Sequence, residues 1–404
     1  MLLIYNTALR LYFFAVYLAS FFNKKAKLWI NGRRNNNYLK HEQSIWFHFA
    51  SLGEFEQGRP VLESLGEKYP AKKIVVTFFS PSGYEIRKNT PLADAVYYLP
   101  LDTAANARKF IDAIQPELAI FTKYEYWYHF FNELHKRDVP LYVISGIFRP
   151  GQIFFRWYGG LHRRMLGFVT WFFVQDETSE LLLQNIGITN ATISGDTRFD
   201  RVWANAQQPK ELPLIEEFIN GRKTFIAGST WPDDEKLLAA LVNEYPDWKF
   251  IIAPHETGDE KINRLISLLP FNAAIKYSQL QSNTSYPIPH ILIIDNIGML
   301  SSLYQYGDIA YIGGGFGAGI HNTLEAAAFG LPVIFGPAYH KFKEANDLIT
   351  LQGGFSINNE SELKVTMAFL LEDGERYKSI RQSVKDYVRD NTGATSTIVD
   401  HIKL

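Results

Sequence analysis

The sequence predicts an α/β protein of two doubly wound, Rossmann-like domains facing each other across a cleft, with a membrane-associated helix at its N-terminus. Three observations predict it. Short β-branched runs alternate with longer amphipathic stretches, the pattern of a parallel sheet covered on both faces. The alternation breaks once, between Asp200 and Arg222, and then restarts. The chain has 404 residues, too long for one ordinary core and suited to two. The expected division is an anchor over 1–22, a first domain over 23–204 and a second over 205–385. A C-terminal helix over 386–404 is free to cross back to the first domain.

The first element, Leu2 to Phe22, is almost wholly apolar but carries Asn6, Arg10 and Tyr17 near one helical face. A spanning helix needs about 20 apolar residues, and the run after Arg10 is shorter. An interfacial helix or a short anchor is therefore expected. Lys24, Lys25, Lys27, Arg33 and Arg34 follow and suit anionic headgroups on the cytoplasmic side. The start is not basic and Phe21-Phe22 is a poor cleavage context, against a signal peptide. A first helix buried in the core is the competing reading.

Strands of the first domain are expected at Ser44–Ala50, Lys73–Phe79, Ala95–Leu99, Leu118–Thr122, Leu141–Ser145 and Trp171–Val174. Helices between them include Phe55–Lys68, Ala104–Ile114 and Thr178–Asn185. Asp200–Arg222, with its Gln-Gln-Pro-Lys and Leu-Pro-Leu, reads as a linker. Strands then resume at Thr224–Ala227, Lys249–Ala253, His290–Ile294, Ile309–Ile312 and Pro332–Phe335. Helices are expected after Pro232, Gly258, Asn296 and Gly319.

Composition excludes several classes. Hydrophobic residues are 47% and charged residues 21%, so a packed globular chain is expected. A net charge of -1 offers no global field for nucleic acid. With no cysteine, disulfides, thiolate zinc sites and a cysteine nucleophile are ruled out.

Four motifs carry chemistry, each placed where a strand ends. The strongest runs from Gly313 to Glu325, with five glycines among its first seven residues and helix formers from Asn322. Glycine lets backbone N–H groups approach an anion, and a helix N-terminus adds its dipole. Glu325 is placed to accept from ribose hydroxyls. A ligand-free turn is the bland alternative. A hydride-transfer motif is disfavoured because the spacing is not G-x-G-x-x-G. The second motif, Ser51-Leu-Gly-Glu54, puts a carboxylate at a helix start. There it either steadies the helix or serves as a general base. The third, Lys123-Tyr-Glu-Tyr-Trp127, brings Glu125 to the same sheet edge, as an ion pair with Lys123 or a second working carboxylate. The fourth, Gly228-Ser229-Thr230-Trp-Pro, offers donors to an anion and equally a helix cap. His255, Arg198 and Lys341 are weaker candidates for the nucleotide. No Asp-x-Asp pair is placed to hold a divalent ion, so no metal is expected.

Together these motifs resemble the 3-deoxy-D-manno-octulosonic acid (Kdo) transferases of lipopolysaccharide synthesis. His48 to Glu54 resembles their His-Ala-x-Ser-Val-Gly-Glu, and Tyr124 to Trp127 their Thr-Glu-Leu-Trp. Ala227 to Thr230 matches Ala-Gly-Ser-Thr, and Asp295 to Leu300 is similar to Asp-Thr-Met-Gly-Glu-Leu. Gly313-Gly314 followed by His321-Asn322-Thr323-Leu324-Glu325 resembles Gly-Gly…His-Asn-x-Leu-Glu. The resemblance implies a GT-B glycosyltransferase that needs no cofactor. It implies inverting, metal-independent transfer of Kdo from CMP-Kdo to a lipid A precursor (lipid IVA) at the cytoplasmic face of the inner membrane. Glu54 is then the general base and Glu125 a second essential carboxylate. Donor contacts fall to Ser229, Thr230, His255, Gly313, Gly314, Gly315, His321, Asn322 and Glu325, with Arg198 and Lys341 as nearby cations. The chain departs from the family where Ala253-Pro254-His255 replaces Pro-Arg-His, at Lys123 and Tyr128, and in a glycine loop about one residue shorter. The alternatives are a UDP-sugar transferase or epimerase of the same fold, and an inactive membrane scaffold.

Overall fold

The computed structural model describes residues 1–34, 37–280 and 289–404. It divides into two compact units, Met1–Asp200 with Thr392–Leu404, and Arg201–Asn391.

The first unit is built on a seven-stranded sheet. Its strands are β1 (Ser44–Phe49), β2 (Lys73–Phe78), β3 (Ala95–Tyr98), β4 (Pro116–Thr122), β5 (Leu141–Gly146), β6 (Trp171–Val174) and β7 (Ala191–Ile193). They lie in the order β3-β2-β1-β4-β5-β6-β7, every neighbouring pair parallel. Helices cover both faces, so strands such as β1 are buried along their whole length and read, Ser44 and His48 apart, as continuous apolar runs. One face packs Trp46, Phe110, Phe121 and Phe130; the other packs Phe47, Phe55, Phe78 and Ile120. The C-terminal helix Ala394–His401 returns to this second face, where Ile398 and Ile402 are fully buried.

The second unit repeats the plan. Its strands are β8 (Thr224–Thr230), β9 (Lys249–Pro254), β10 (Ala274–Lys276), β11 (Ile291–Ile293), β12 (Ile309–Ile312), β13 (Val333–Phe335) and β14 (Gly354–Ser356). The order is β10-β11-β9-β8-β12-β13-β14, again parallel throughout. Two such doubly wound units behind an apolar N-terminal helix make up the GT-B class expected from the sequence.

In each unit the chain reverses its direction of travel across the sheet once. In the first it leaves β1 for β2 and β3, then resumes on the other side with β4. In the second the reversal lies between β8 and β12. The gap this opens at the strands' carboxyl ends is where such sheets receive ligands.

The boundary between the units falls at Asp200 and Arg201, where the sequence predicts a linker, but the Asp200–Arg222 segment is largely helical. It forms the end of helix Thr197–Gln207 and the helix Pro213–Ile219. Pro213 begins the latter, where a missing N–H costs nothing, and Ile215 and Phe218 bury its inner face. The sequence pattern missed three short strands, β7, β10 and β14; each is an edge strand of its sheet and is only partly buried, unlike the equally short but fully buried β11 and β13.

The helix Leu2–Ala19 is long and apolar enough to cross a membrane by length and composition, and it is not buried. One face is tied to the first unit. The Tyr5 hydroxyl donates to Asp102 Oδ2 at 2.5 Å, Asn6 Oδ1 lies 2.7 Å from His129 Nε2, and Tyr12 packs on Trp29 and Phe79. The opposite face leaves Leu3, Ile4, Leu11 and Phe14 exposed, followed by Phe21 and Phe22. Arg33, expected in a headgroup-facing basic cluster, is instead buried. It donates to the Leu99 and Phe79 carbonyls and lies over the Trp29 ring, and burial lowers its guanidinium to about 9. A long side chain can turn inward where carbonyls and rings receive it, which the sequence alone does not reveal.

Candidate active site: two sheet edges

In the first unit, β1 leads into Ser51 and the helix Leu52–Lys68, and β4 leads into the loop Lys123–Trp127. Pairing of β1 with β4, His48 opposite Phe121, sets these two segments side by side at the reversal point. Glu54 stands in the first helical turn, half-buried, and accepts the Ser51 hydroxyl at 3.0 Å. Burial raises its carboxyl above the ordinary carboxylate range, and the charge of Glu125 raises it further. Ser51 and Lys123 oppose the rise. The structure therefore brings Glu54 and Glu125 together, although 71 residues separate them in sequence.

Glu125 is held by rings. Its Oε2 receives Trp127 Nε1–H at 2.9 Å and faces His48 Nε2 at 3.1 Å. His48 is fully buried on β1, with Nδ1 2.8 Å from Thr77 Oγ1 on β2. Thr77 lies in none of the sequence motifs, and His48 and Trp127 enter theirs without an assigned role. His48 reads as one more inward residue of a buried strand, and only the sheet's topology puts Glu125 above it. Lys123 adopts a left-handed backbone, φ +57°, a strained geometry for a side-chain-bearing residue and one that gathers at ligand sites. Arg198 also lies in this unit. It pairs with buried Asp196 at 2.7 Å, and its charge leads those that hold the Asp196 carboxyl below its usual range against burial. Asp196 is pinned from the other side by Gln57 Nε2 at 2.7 Å.

In the second unit, β8, β9 and β12 bring three motifs to one edge. Ser229 sits at φ +54° and Thr230 is buried. Gly313 and Gly315 have no room for a side chain. A Cβ at Gly313 would lie 2.3 Å from the Ser229 carbonyl, and one at Gly315 would lie 2.6 Å from the Gly336 backbone. Gly314 and Gly319 take φ of +91° and +144°. Backbone packing and turning thus account for four of the five glycines. Asp234, fully buried, ties the loop to β8's exit. It accepts Tyr311 Oη–H at 2.6 Å, Gly314 N–H at 2.9 Å and Trp231 N–H at 2.8 Å.

The helix after this loop is shorter than the sequence pattern predicts. It is one turn, Leu324–Ala327, because Gly330 at φ +72° ends it before β13. The dipole of one turn is small, so anion binding here must draw on local N–H groups more than on a helix end. Asn322 caps the turn, accepting Leu324 N–H at 3.1 Å and donating to Glu325 Oε1 at 3.1 Å. Trp231, His255 and His321 form a stack. His255 lies 4.6 Å from each of the other two rings, and Trp231 Nε1–H donates to His321 Nε2 at 2.9 Å. That bond leaves His321's own proton on Nδ1 in the neutral ring, and burial, then His255, lowers its tendency to take a second. Trp231, Phe316, Gly319 and His321 line a cavity of about 400 Å³. Lys341 is exposed beyond β13, next to Phe342, whose ring packs against Gly319. Among the described residues no group of three His, Asp or Glu is placed to hold a metal ion.

The first edge offers a raised carboxyl beside a second carboxylate, an arrangement able to take a proton from a hydroxyl. The second offers stacked rings, an Asn-Glu pair and backbone donors, which suit a nucleotide.

Residues 24–201 match the family model described as 3-deoxy-D-manno-octulosonic-acid transferase (kdotransferase). The chain is 28% identical over 379 residues to a 3-deoxy-D-manno-octulosonic acid transferase of Haemophilus influenzae, covering 89% of this chain and 87% of that one. It is 25% identical over 388 residues to a bifunctional glycosyltransferase/methyltransferase of Fusobacterium nucleatum, covering 92% of this chain. It spans only 59% of that relative's length. Among solved structures, a UDP-GlcNAc 2-epimerase of Neisseria meningitidis shares the fold with a TM-score of 0.64. The identity is 16%, with 89% of this chain and 99% of that one covered.

Proposed function

We propose that this chain, whose residues 24–201 match the Kdo transferase family model, is a glycosyltransferase that moves Kdo from CMP-Kdo to a lipid A precursor. The observation that carries the reading is the carboxyl pair Glu54 and Glu125 at the reversal point of the first sheet. It stands in a family domain, with a nucleotide-suited edge in the second unit.

In this reading Glu54 takes the proton of the acceptor hydroxyl. The hydroxyl oxygen bonds to the anomeric carbon of Kdo as that carbon's bond to the phosphate oxygen breaks, and the electron pair leaves with CMP. Attack from the face opposite the leaving group inverts the centre. The raised Glu54 carboxyl makes it a better proton acceptor than an ordinary glutamate once ionised. Glu125 supplies fixed negative charge beside it, which also favours the oxocarbenium-like carbon as it forms. Ser229, Thr230 and the Gly313–Gly315 amides offer donors to the CMP phosphate. Glu325, steadied by Asn322, accepts from the ribose, and His255, His321, Arg198 and Lys341 are assigned to the donor. The reaction needs neither metal nor cofactor in this scheme. Nucleic acid is no partner.

The helix Leu2–Ala19 is assigned to the cytoplasmic face of the inner membrane, in its interfacial plane. Its Tyr5 and Asn6 face is occupied by the protein, while Leu11 and Phe14 face outward.

The test is a transfer assay with CMP-Kdo and a tetra-acylated lipid A precursor, run with and without EDTA. Product in both is expected. No product, with turnover of a UDP-sugar instead, overturns the reading. Glu54→Ala should abolish transfer and keep CMP binding; lost CMP binding would move Glu54 to the donor site.

A further inference from the structure

Four aromatic and hydroxyl groups beneath Glu125 form one hydrogen-bonded chain, and their proton inventory fixes its direction. Trp46 Nε1–H can only donate, and it does so to Thr77 Oγ1 at 2.8 Å. The single Thr77 hydroxyl proton then has two possible acceptors, His48 Nδ1 at 2.8 Å and the Phe47 carbonyl at 3.3 Å. Glu125 Oε2, which as a carboxylate oxygen only accepts, calls for the His48 proton on Nε2 and leaves Nδ1 to accept from Thr77. His48 therefore carries its own proton on Nε2 and donates it to Glu125 Oε2 at 3.1 Å. Trp127 Nε1–H reaches the same oxygen at 2.9 Å. Two N–H groups thus converge on one carboxylate oxygen and fix its place.

We propose that His48 and Trp127 are positioning residues for the transfer: their ring N–H groups hold the Glu125 carboxylate in place beside Glu54, and its charge there keeps Glu54 a strong proton acceptor. The proposal rests on the reading of Glu54 as the base. Both rings are built to hold still. His48 is fully buried between Thr77 and the Phe121 ring, 4.9 Å away, and Trp127 stacks on Phe79 at 5.0 Å. Glu54 answers to few charges. Ser51 faces it from its own helix start, and Glu125, Lys123 and Tyr124 face it from the loop after β4. Lys123 also faces Asp196, which Arg198 occupies. Of these, Glu125 is the one whose charge strengthens the base, so its supports govern that strength.

The experiment compares Trp127→Phe, His48→Leu and His48→Gln in the full chain. Trp127→Phe keeps a ring on Phe79 and removes only the N–H. His48→Gln places an amide N–H near the position of Nε2, and His48→Leu places none. Each is read by the pH dependence of kcat/KM and by the carboxyl titration of Glu54 in 13C-labelled resting enzyme. Trp127→Phe and His48→Leu should lower kcat by about tenfold with the donor KM little changed. They should also move both the acid limb and the Glu54 titration to lower pH, and His48→Gln should restore the parent behaviour. Falling rates with an unmoved Glu54 titration would overturn the proposal, as would His48→Gln behaving like His48→Leu. A moved titration with an unmoved rate profile leaves the arrangement standing and removes Glu54 as the base.

Discussion

Asp234 offers the sharpest test of how the second unit holds its glycine loop. Its carboxylate gathers three donors from three segments: Tyr311 at the end of β12, Gly314 in the loop and Trp231 at the exit of β8. Asp234→Ala strands two of them, the Tyr311 hydroxyl and the Gly314 N–H, in a fully buried place. Each orphaned buried donor costs about 1–3 kcal/mol. Against this, burial raises the Asp234 carboxyl, so removing the charge recovers part of a desolvation cost. The net loss is about 3 kcal/mol for Asp234→Ala. Asp234→Asn keeps an oxygen for the two backbone donors and loses only the charge-assisted bond to Tyr311, about 1 kcal/mol. Urea unfolding followed by tryptophan fluorescence measures the first effect. CMP titration by calorimetry measures the second, a loss of tenfold or more in Asp234→Ala, because the Gly314 amide is no longer tied to the exit of β8. Unchanged stability in Asp234→Ala, or an Asn variant as damaged as the Ala one, would refute this account of the loop.

Two further outcomes are expected. The Glu54 carboxyl is raised in the folded chain, first by burial and then by Glu125, so folding favours its protonated form. The resulting penalty on the native state is absent in acid and grows as pH rises through the folded-state range. Glu54→Gln should therefore raise Tm at pH 8 and leave it unchanged below about pH 4; a gain that persists in acid would mean a packing effect instead. On the N-terminal helix, Leu11→Asp and Phe14→Asp alter only exposed positions. Each charge costs up to about 3 kcal/mol in an apolar phase, so flotation with anionic vesicles should fall sharply while the circular dichroism spectrum holds. Undiminished flotation would remove this face from the membrane.

Much of the fold was legible because parallel strands buried on both faces write themselves as unbroken apolar runs. Ile309–Ile312 and Trp171–Val174 are examples, and Ser44–Phe49 is one but for Ser44 and His48. What failed was local punctuation. Pro213 looked like a breaker and is a helix start; the helix expected after Gly319 is a single turn. In both, the deciding fact is tertiary: the buried side of Ile215 and Phe218 in one, the proximity of β13 in the other. The site was legible as separate segments at strand ends. Its supports were not, because Asp234, His48 and Asp196 act through partners at sequence distances of 77 or more.

The glycine loop shows how a motif's sequence signal and its physical cause can part company. Its glycines suggested an anion cradle, and close packing explains most of them without one. Gly313 makes room for the Ser229 carbonyl, Gly315 for Gly336, and Gly314 and Gly319 turn the chain. Yet the same close approach accompanies Ser229 at φ +54° and sets Trp231 beside His321. A loop that merely turned would not need the β8 exit pressed against Gly313, the β13 exit against Gly315, and a buried carboxylate as well. The glycines therefore serve the ligand edge indirectly. They let two strand exits approach closely enough that side chains on one, Trp231 and Asp234, order backbone and rings on the other.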